Sequence, residues 1–182
     1  MKTPRLAAQT VIHSPLGPLT LAASDKGLAL VWFEVQAHRS AEVDAPEQPE
    51  HPHLRQAADE LAAYFADAQA HFAVPLDPQG TLFQQRVWQV LRRIAPGARL
   101  RYGDVARAIG QPAAVRAVGA VGAAIGRNPL AIIVPCHRVV GSDGRLTGYA
   151  GGLPRKEALL AHEGVPARLH PAQATLPLSA PA

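Results

Sequence analysis

Ile132-Ile133-Val134-Pro135-Cys136-His137-Arg138-Val139-Val140-Gly141 is the stretch on which the reading of this chain turns. Its three leading β-branched residues predict a short buried strand, and Pro135, which has no N–H for a ladder, ends it. A side chain just past such a strand sits at the edge of a pocket rather than inside a core. Cys136 is the only cysteine in the sequence, so it has no internal disulfide partner and no companion thiol for a multi-cysteine zinc site. A lone cysteine is more often an inert packing residue than a nucleophile. Its neighbours argue for the nucleophile, because a reactive thiolate needs a base or a positive charge close by. His137 is the candidate base. Adjacent side chains diverge on an extended chain, so a bridging water would carry its effect to the thiol. Glu163 is a candidate to orient the imidazole, completing a nucleophile–base–orienter set; on its own it reads equally as a helix-end carboxylate.

Outward from this junction the pattern divides the chain. Thr10 to His13, Leu19 to Ala22 and Leu28 to Phe33 are short apolar runs separated by Ser14-Pro15-Leu16-Gly17-Pro18 and Asp25-Lys26-Gly27, the signature of β-hairpins. Residues 40–53 read as a surface loop. Ala57, Leu61, Tyr64 and Phe65 give residues 54–66 the stripe of an amphipathic helix, and His71 to Leu76 predicts one more strand. Asp77-Pro78-Gln79-Gly80 marks a boundary, placing an N-terminal α/β lobe at 1–77 and a second domain at 78–165. Thr81 caps a helix that turns Phe83, Val87, Trp88, Leu91 and Ile94 inward and stops at Pro96-Gly97. Tyr102 to Ile109 and Ala113 to Ile125 predict two helices separated by Gly110-Gln111-Pro112, the outline of a helix-turn-helix. A Gly-rich loop spans 141–152, a last helix runs from Pro154 to Glu163 with Gly164 as its C-cap, and the Pro- and Ala-rich residues 166–182 predict a disordered tail.

Charge follows the same division. The formal net charge is +4, but residues 1–77 hold five Lys/Arg against ten Asp/Glu, whereas 78–165 hold twelve against four. The second domain is therefore the one suited to a polyanion, although a solvated basic face would look the same. No run of about 18 apolar residues predicts a membrane helix. Met1 to Gln9 lacks the apolar stretch of a secretory signal, so the expectation is a cytoplasmic protein. His51 and His53 have no cysteine partners, and no metal site is expected.

Val134-Pro135-Cys136-His137-Arg138-Val139-Val140 resembles the active-site motif of the O6-alkylguanine-DNA alkyltransferases, the methylated-DNA–protein-cysteine methyltransferase family. Asn128-Pro129 upstream, Gly148-Tyr149-Ala150-Gly151-Gly152 downstream and the helix from Arg155 to Gly164 match that family in the right order. Phe83, Val87, Trp88, Pro96-Gly97 and Tyr102-Gly103 also fall where it places them. The resemblance is strong over about 80–165 and loose in the first lobe, where Ser14-Pro15-Leu16-Gly17 carries it. It implies an α/β (α+β) fold, with a small ribonuclease H-like lobe of sheet and helix followed by a mainly helical, winged-helix-like DNA-binding lobe. It further implies irreversible transfer of an alkyl group from O6-alkylguanine, and from O4-alkylthymine, to Cys136 after base flipping. One molecule would act once, as a monomer on double-stranded DNA, with no cofactor. Catalytic roles would fall to Cys136, His137, Glu163, Asn128 and Tyr102, the last assisting the departing base. Val139, Tyr149, Ala150 and Lys156 would form the substrate pocket, with backbone carbonyls at Cys136 and Val139 reading the guanine amino group. The helix from Ala113 would enter the minor groove, Ala113, Ala114 and Ala117 permitting close approach and Arg116 replacing the extruded base. Gly103, Gln111 and Ser142 would meet the phosphate backbone.

Two features depart from the family pattern. Arg116 lies twelve positions before Asn128, about three more than the pattern has, and Ala117-Val118-Gly119 is repeated as Ala120-Val121-Gly122. Three residues turn a helix by about 300°, so both anchors cannot keep their places in an unaltered helix. Counted from Tyr102, Arg116 is the finger; counted back from Asn128, the slot holds Gly119. The expectation is Arg116, with the added turn absorbed near Gly122 to Gly126; a bulge, a longer helix or weakened DNA binding would each be consistent with it. Ala150 stands where some relatives carry a hydroxyl. Three other functions compete with this one: a damage-binding protein that flips the base but lacks the nucleophile, which Cys136 opposes; a helix-turn-helix regulator, opposed by the lack of a separate sensor or dimerisation segment; and a cysteine hydrolase, whose base is usually distant in sequence.

Overall fold

The computed structural model describes residues 6–37, 43–111 and 114–165. Three antiparallel strands, β1 (Ala8–Ile12), β2 (Leu19–Ser24) and β3 (Gly27–Phe33), form a meander in the order β1-β2-β3. All six residues of the central strand are buried. Helix α1 (Pro52–Ala66) starts with proline at its first turn, where the missing N–H costs no hydrogen bond. It buries Leu54, Ala57, Leu61 and Tyr64, one stripe at helical spacing.

The expected strand at His71 to Leu76 does not form. Pro75 has no donor, and the N–H groups of Ala73 and Val74 both turn to Glu60 Oε2 (3.0 and 3.1 Å). What remains is a single bridge from Leu76 to Leu28, with Leu28 N donating to Pro75 O.

Helix α2 (Leu82–Leu91) opens on a capping box between Thr81 and Gln84. Strand β4 (Leu100–Arg101) leads directly into α3 (Tyr102–Ala108), and α4 (Val115–Gly126) follows. Helices α2, α3 and α4 pack on one another, and Trp88 Nε1 donates to Ala124 O (2.9 Å) to join α2 to α4. α4 is one helix without a bulge through Gly122 to Gly126. No bulge takes up the added turn there. Ala114 is its N-cap; Ala113, the expected first residue, lies outside the described residues, as does the tail from 166.

Ile132 to Val134 is not a strand either. Val31 N donates to Pro129 O and Ala131 N to Val31 O, so Leu130 forms an isolated bridge to Val31 of β3. The chain then turns back on itself, with Val134 N bonded to Leu130 O (2.9 Å) and Ile132 in the left-handed region at φ 71°. Asn128 explains the turn: its Oδ1 accepts from Leu130 N, and its Nδ2 donates to Leu130 O and Val134 O. Those groups would otherwise serve a strand ladder. Cys136–Arg138 form one 3-10 turn, strand β5 (Val139–Val140) pairs parallel to β4, and α5 (Leu153–His162) closes the domain. Gly164, at φ 75°, ends α5 in the conformation that a side chain resists.

Candidate active site

The Asn128 turn and the 3-10 turn set Cys136 at their junction, 7% exposed. Asn128 Nδ2 donates to Cys136 Sγ at 3.2 Å. The same amide that shapes the backbone thus holds the sulfur. Burial pushes the thiol above its ordinary pKa, while the Asn128 hydrogen bond and the Lys156 charge pull it back. The resting sulfur is a thiol, and its activation requires a base.

His137 is fully buried beside it. Its Nε2 lies 2.8 Å from Glu163 Oε1, and its Nδ1 is buried with no hydrogen-bond partner in the protein. Burial lowers the imidazole pKa against the pull of Glu163, so the ring is neutral at pH 7. With Nε2–H given to the carboxylate, Nδ1 is the free base nitrogen.

Glu163 gathers several donors. Arg138 reaches it through Nε (2.9 Å to Oε2) and Nη2 (2.8 Å to Oε1), and Tyr64 donates its hydroxyl to Oε1 at 2.8 Å. Burial alone would raise this carboxyl; the bonds from His137 and Arg138 outweigh it and bring the pKa down to about 2. Arg138 also donates through Nη1 to Ile94 O. Glu163 is therefore ionised and matched in charge by Arg138, leaving His137 free to change its own.

Around the sulfur, Lys156 is fully buried and donates to Val139 O (2.6 Å) and Thr147 O (2.7 Å). Burial lowers its pKa to about 8. One lone pair of the Val139 carbonyl is thus engaged. Tyr102 is half-buried, donates to Thr147 O at 3.4 Å and has its pKa raised by burial. The Tyr149 hydroxyl is buried without a partner, and burial raises its pKa as well. Ala150 O accepts from Ala37 N at 2.8 Å.

This arrangement can deprotonate one buried thiol and stabilise the charge left on the imidazole beside it. Its sequence matches the family model of the 6-O-methylguanine DNA methyltransferase DNA-binding domain over residues 82–165, and that of the ribonuclease-like domain over 8–78. The chain belongs to the 6-O-methylguanine DNA methyltransferase family. The methylated-DNA–protein-cysteine methyltransferase of Methanosarcina acetivorans is 46% identical over 85% of this chain and 96% of its own length. That of Mycolicibacterium paratuberculosis is 44% identical over 91% and 95%. The crystal structure of Mycobacterium tuberculosis OGT in complex with DNA superposes with a TM-score of 0.78 at 45% identity, covering 88% of this chain and 96% of that one.

For a methyltransferase of this family, the candidate DNA-contact residues lie apart from the buried cluster. Ala114, Arg116, Gln111 and Ser142 are exposed, and Ala117 and Gly103 are half-buried. Among the described residues Arg116 has no side-chain partner, and no helix is long and apolar enough to cross a membrane. Sequence reasoning missed the roles of Arg138 and Tyr64. Arg138 stands inside the active-site motif and could have been found as the cation a buried carboxylate needs. Tyr64 carried no local signal beyond its place on the α1 stripe.

Proposed function

We propose that this protein repairs O6-alkylguanine in double-stranded DNA by moving the alkyl group onto Cys136 Sγ, once per molecule. The observation that carries this is the single buried cluster in which Asn128 holds the sulfur, His137 offers an unpartnered Nδ1, and Glu163 fixes Nε2. O6 is inaccessible inside the base stack, so the nucleotide must be flipped into the pocket bounded by Tyr102, Tyr149 and Ala150. Arg116, at the start of α4, fills the space left behind.

The thiol proton passes through a water to His137 Nδ1, and the imidazolium is stabilised by Glu163. Sγ attacks the alkyl carbon in line; the S–C bond forms as the C–O6 bond breaks. Guanine leaves with the bonding pair and takes a proton from Tyr102, which recovers one from the imidazolium. The proton lost by sulfur equals the one gained by guanine, so no cofactor enters the balance. Val139 O reads the guanine amino group, and Lys156 holds that carbonyl in place. The thioether has no leaving group, which makes the reaction irreversible. O4-alkylthymine presents the same alkyl–oxygen bond and reacts likewise.

We propose residues 1–77 and 78–165 as the two domains of one monomer acting in the cytoplasm, a division that the family-model matches over 8–78 and 82–165 support. The test is intact-protein mass spectrometry after mixing with a duplex carrying one O6-methylguanine. A gain of one methyl group on Cys136, absent in Cys136→Ala, is expected. No gain despite preferential binding to the lesion would reduce the protein to a damage-recognition module.

A further inference from the structure

The alkyl-transfer chemistry leaves one sequence motif unused, Ser14-Pro15-Leu16-Gly17, and one half-buried connection between the lobes unexplained. Both meet at Arg155, in the first turn of α5. Its Nε donates to Leu16 O, and its Nη1 donates to Val35 O and Gly151 O, each at 3.0 Å. Its Cζ lies 4.6 Å from the centre of the Phe33 ring. One guanidinium therefore joins the first turn of the N-terminal lobe, the end of β3 and the loop beside the sulfur.

The Ser14–Gly17 turn is built to present Leu16 O. Leu16 N donates to Ser14 Oγ (3.2 Å), Ser14 Oγ donates to Gly17 O (2.6 Å), and Gly17 N donates to Ser14 O (3.0 Å). Gly17 takes φ 105°, and a Cβ there would stand 3.4 Å from Arg155 Nη2. The turn needs glycine for its backbone and leaves the guanidinium its space.

On the other side lies the loop of Tyr149, Ala150 and Gly151, which bounds the pocket for the alkyl group. Ala37 N holds Ala150 O, while a Cβ on Gly151 would come within 2.9 Å of Phe33 and 2.8 Å of Tyr149. Glycines at 148, 151 and 152 give this segment many conformations of similar energy when nothing pins it. The N-terminal lobe pins it twice, through Ala37 and through Arg155. A planar fork can engage three carbonyls at once, whereas an ammonium on a flexible stem cannot keep the same geometry.

We propose that Arg155 is a positioning residue through which the N-terminal lobe limits the size of the alkyl group accepted at Cys136. This rests on the alkyl-transfer reading. Releasing the fork lets the 149–151 loop withdraw, which matters little for a methyl group and much for a benzyl group.

The experiment compares single-turnover transfer from two duplexes, one containing O6-methylguanine and one O6-benzylguanine, followed by intact mass. Wild type, Arg155→Met and Arg155→Lys are measured beside their thermal melts. The benzyl-to-methyl rate ratio is expected to rise at least about threefold in Arg155→Met, with Arg155→Lys between the two. A ratio that stays or falls in folded Arg155→Met overturns the proposal; should that variant not fold, Arg155→Lys decides by the same criterion. Wild type that transfers neither group overturns the alkyl-transfer reading itself.

Discussion

Tyr64, in the N-terminal helix α1, and His137, next to the nucleophile, share one oxygen: both lie 2.8 Å from Glu163 Oε1. The first lobe thus reaches the acid–base chemistry of the second through a single carboxylate. Tyr64→Phe removes a donor from Oε1 and leaves the carboxylate more basic. Glu163 then pulls harder on the imidazole. Burial, the largest influence on His137, holds its pKa below the usual 6.5, with Arg138 and Lys156 acting the same way and Glu163 opposing. With His137 as the base proposed above, working in its neutral form, the transfer rate is expected to rise with pH through its folded pKa. In Tyr64→Phe that rising limb moves to higher pH, and unfolding in urea shows a loss of about 1.5–3 kcal/mol for a hydrogen bond to a charged group. A purely structural role for Tyr64 would lower stability and leave the pH profile where it was.

Asn128 is predicted to separate shape from chemistry. Its Nδ2 serves Leu130 O, Val134 O and Cys136 Sγ, and its Oδ1 serves Leu130 N. Asn128→Ala leaves buried backbone groups unmet and costs about 1–3 kcal/mol. Asn128→Asp keeps the acceptor and the volume but turns a donor into a negative oxygen facing the sulfur. Single-turnover rates should therefore fall further in Asn128→Asp than in Asn128→Ala, because a thiolate forms less readily beside a carboxylate. Equal rates in the two variants would mean that the Nδ2–Sγ contact contributes nothing to transfer.

Lys156 gives a prediction for stability against pH. Burial lowers its folded pKa to about 8, from the 10.5 of an ordinary lysine. Between those values the unfolded chain binds more protons than the folded one, so stability rises with pH there. Cys136, with its raised pKa, works in the opposite direction near pH 9 and above. Lys156→Met retains the cysteine and removes the lysine, so the lysine dominates the difference between the two proteins, although its charge also lowers the thiol's pKa. From pH 7 to 9.5, wild type should gain about 2 kcal/mol relative to Lys156→Met in denaturant melts. Parallel curves would show that Lys156 is charged or neutral alike in both states.

Much of this architecture was legible in the sequence, for reasons that can be named. The apolar stripe of α1, the Thr81–Gln84 capping box and the three hairpin strands are local patterns, and they form where they are read. The separated motifs around Cys136 group Asn128, His137 and Glu163, and the structure sets Asn128 Nδ2 against Cys136 Sγ and Glu163 against His137. Two expected strands failed where a side chain captured the backbone. Glu60 takes the N–H groups of Ala73 and Val74, and Asn128 takes the groups around Leu130 and Val134. Apolar β-branched runs look alike whether they pair with a strand or wrap a buried amide. The contacts of Tyr64 and Arg155 were illegible because their partners lie 99 residues away and, in Arg155's longest contact, 139.

The length of α4 gives the last prediction. Arg116 sits exposed in its first turn, twelve residues before Asn128, and α4 runs uninterrupted from Val115 to Gly126. Gly119, three residues on, faces open space: a Cβ built there has no atom within 4 Å. The two positions differ by about 300° around the helix and about 4.5 Å along it, so only one can enter the base stack. With Arg116 as the finger, Arg116→Ala slows transfer from the O6-methylguanine duplex by at least about tenfold, the equivalent of 1.4 kcal/mol. Transfer from free O6-benzylguanine, which needs no base flipping, changes little in the same protein. Adding Gly119→Arg to Arg116→Ala should not restore the duplex rate, because the new side chain leaves the helix on another face. Recovery in the double variant would place the finger at 119, counted back from Asn128, and make the extra turn at Arg116 an extension beyond the recognition surface.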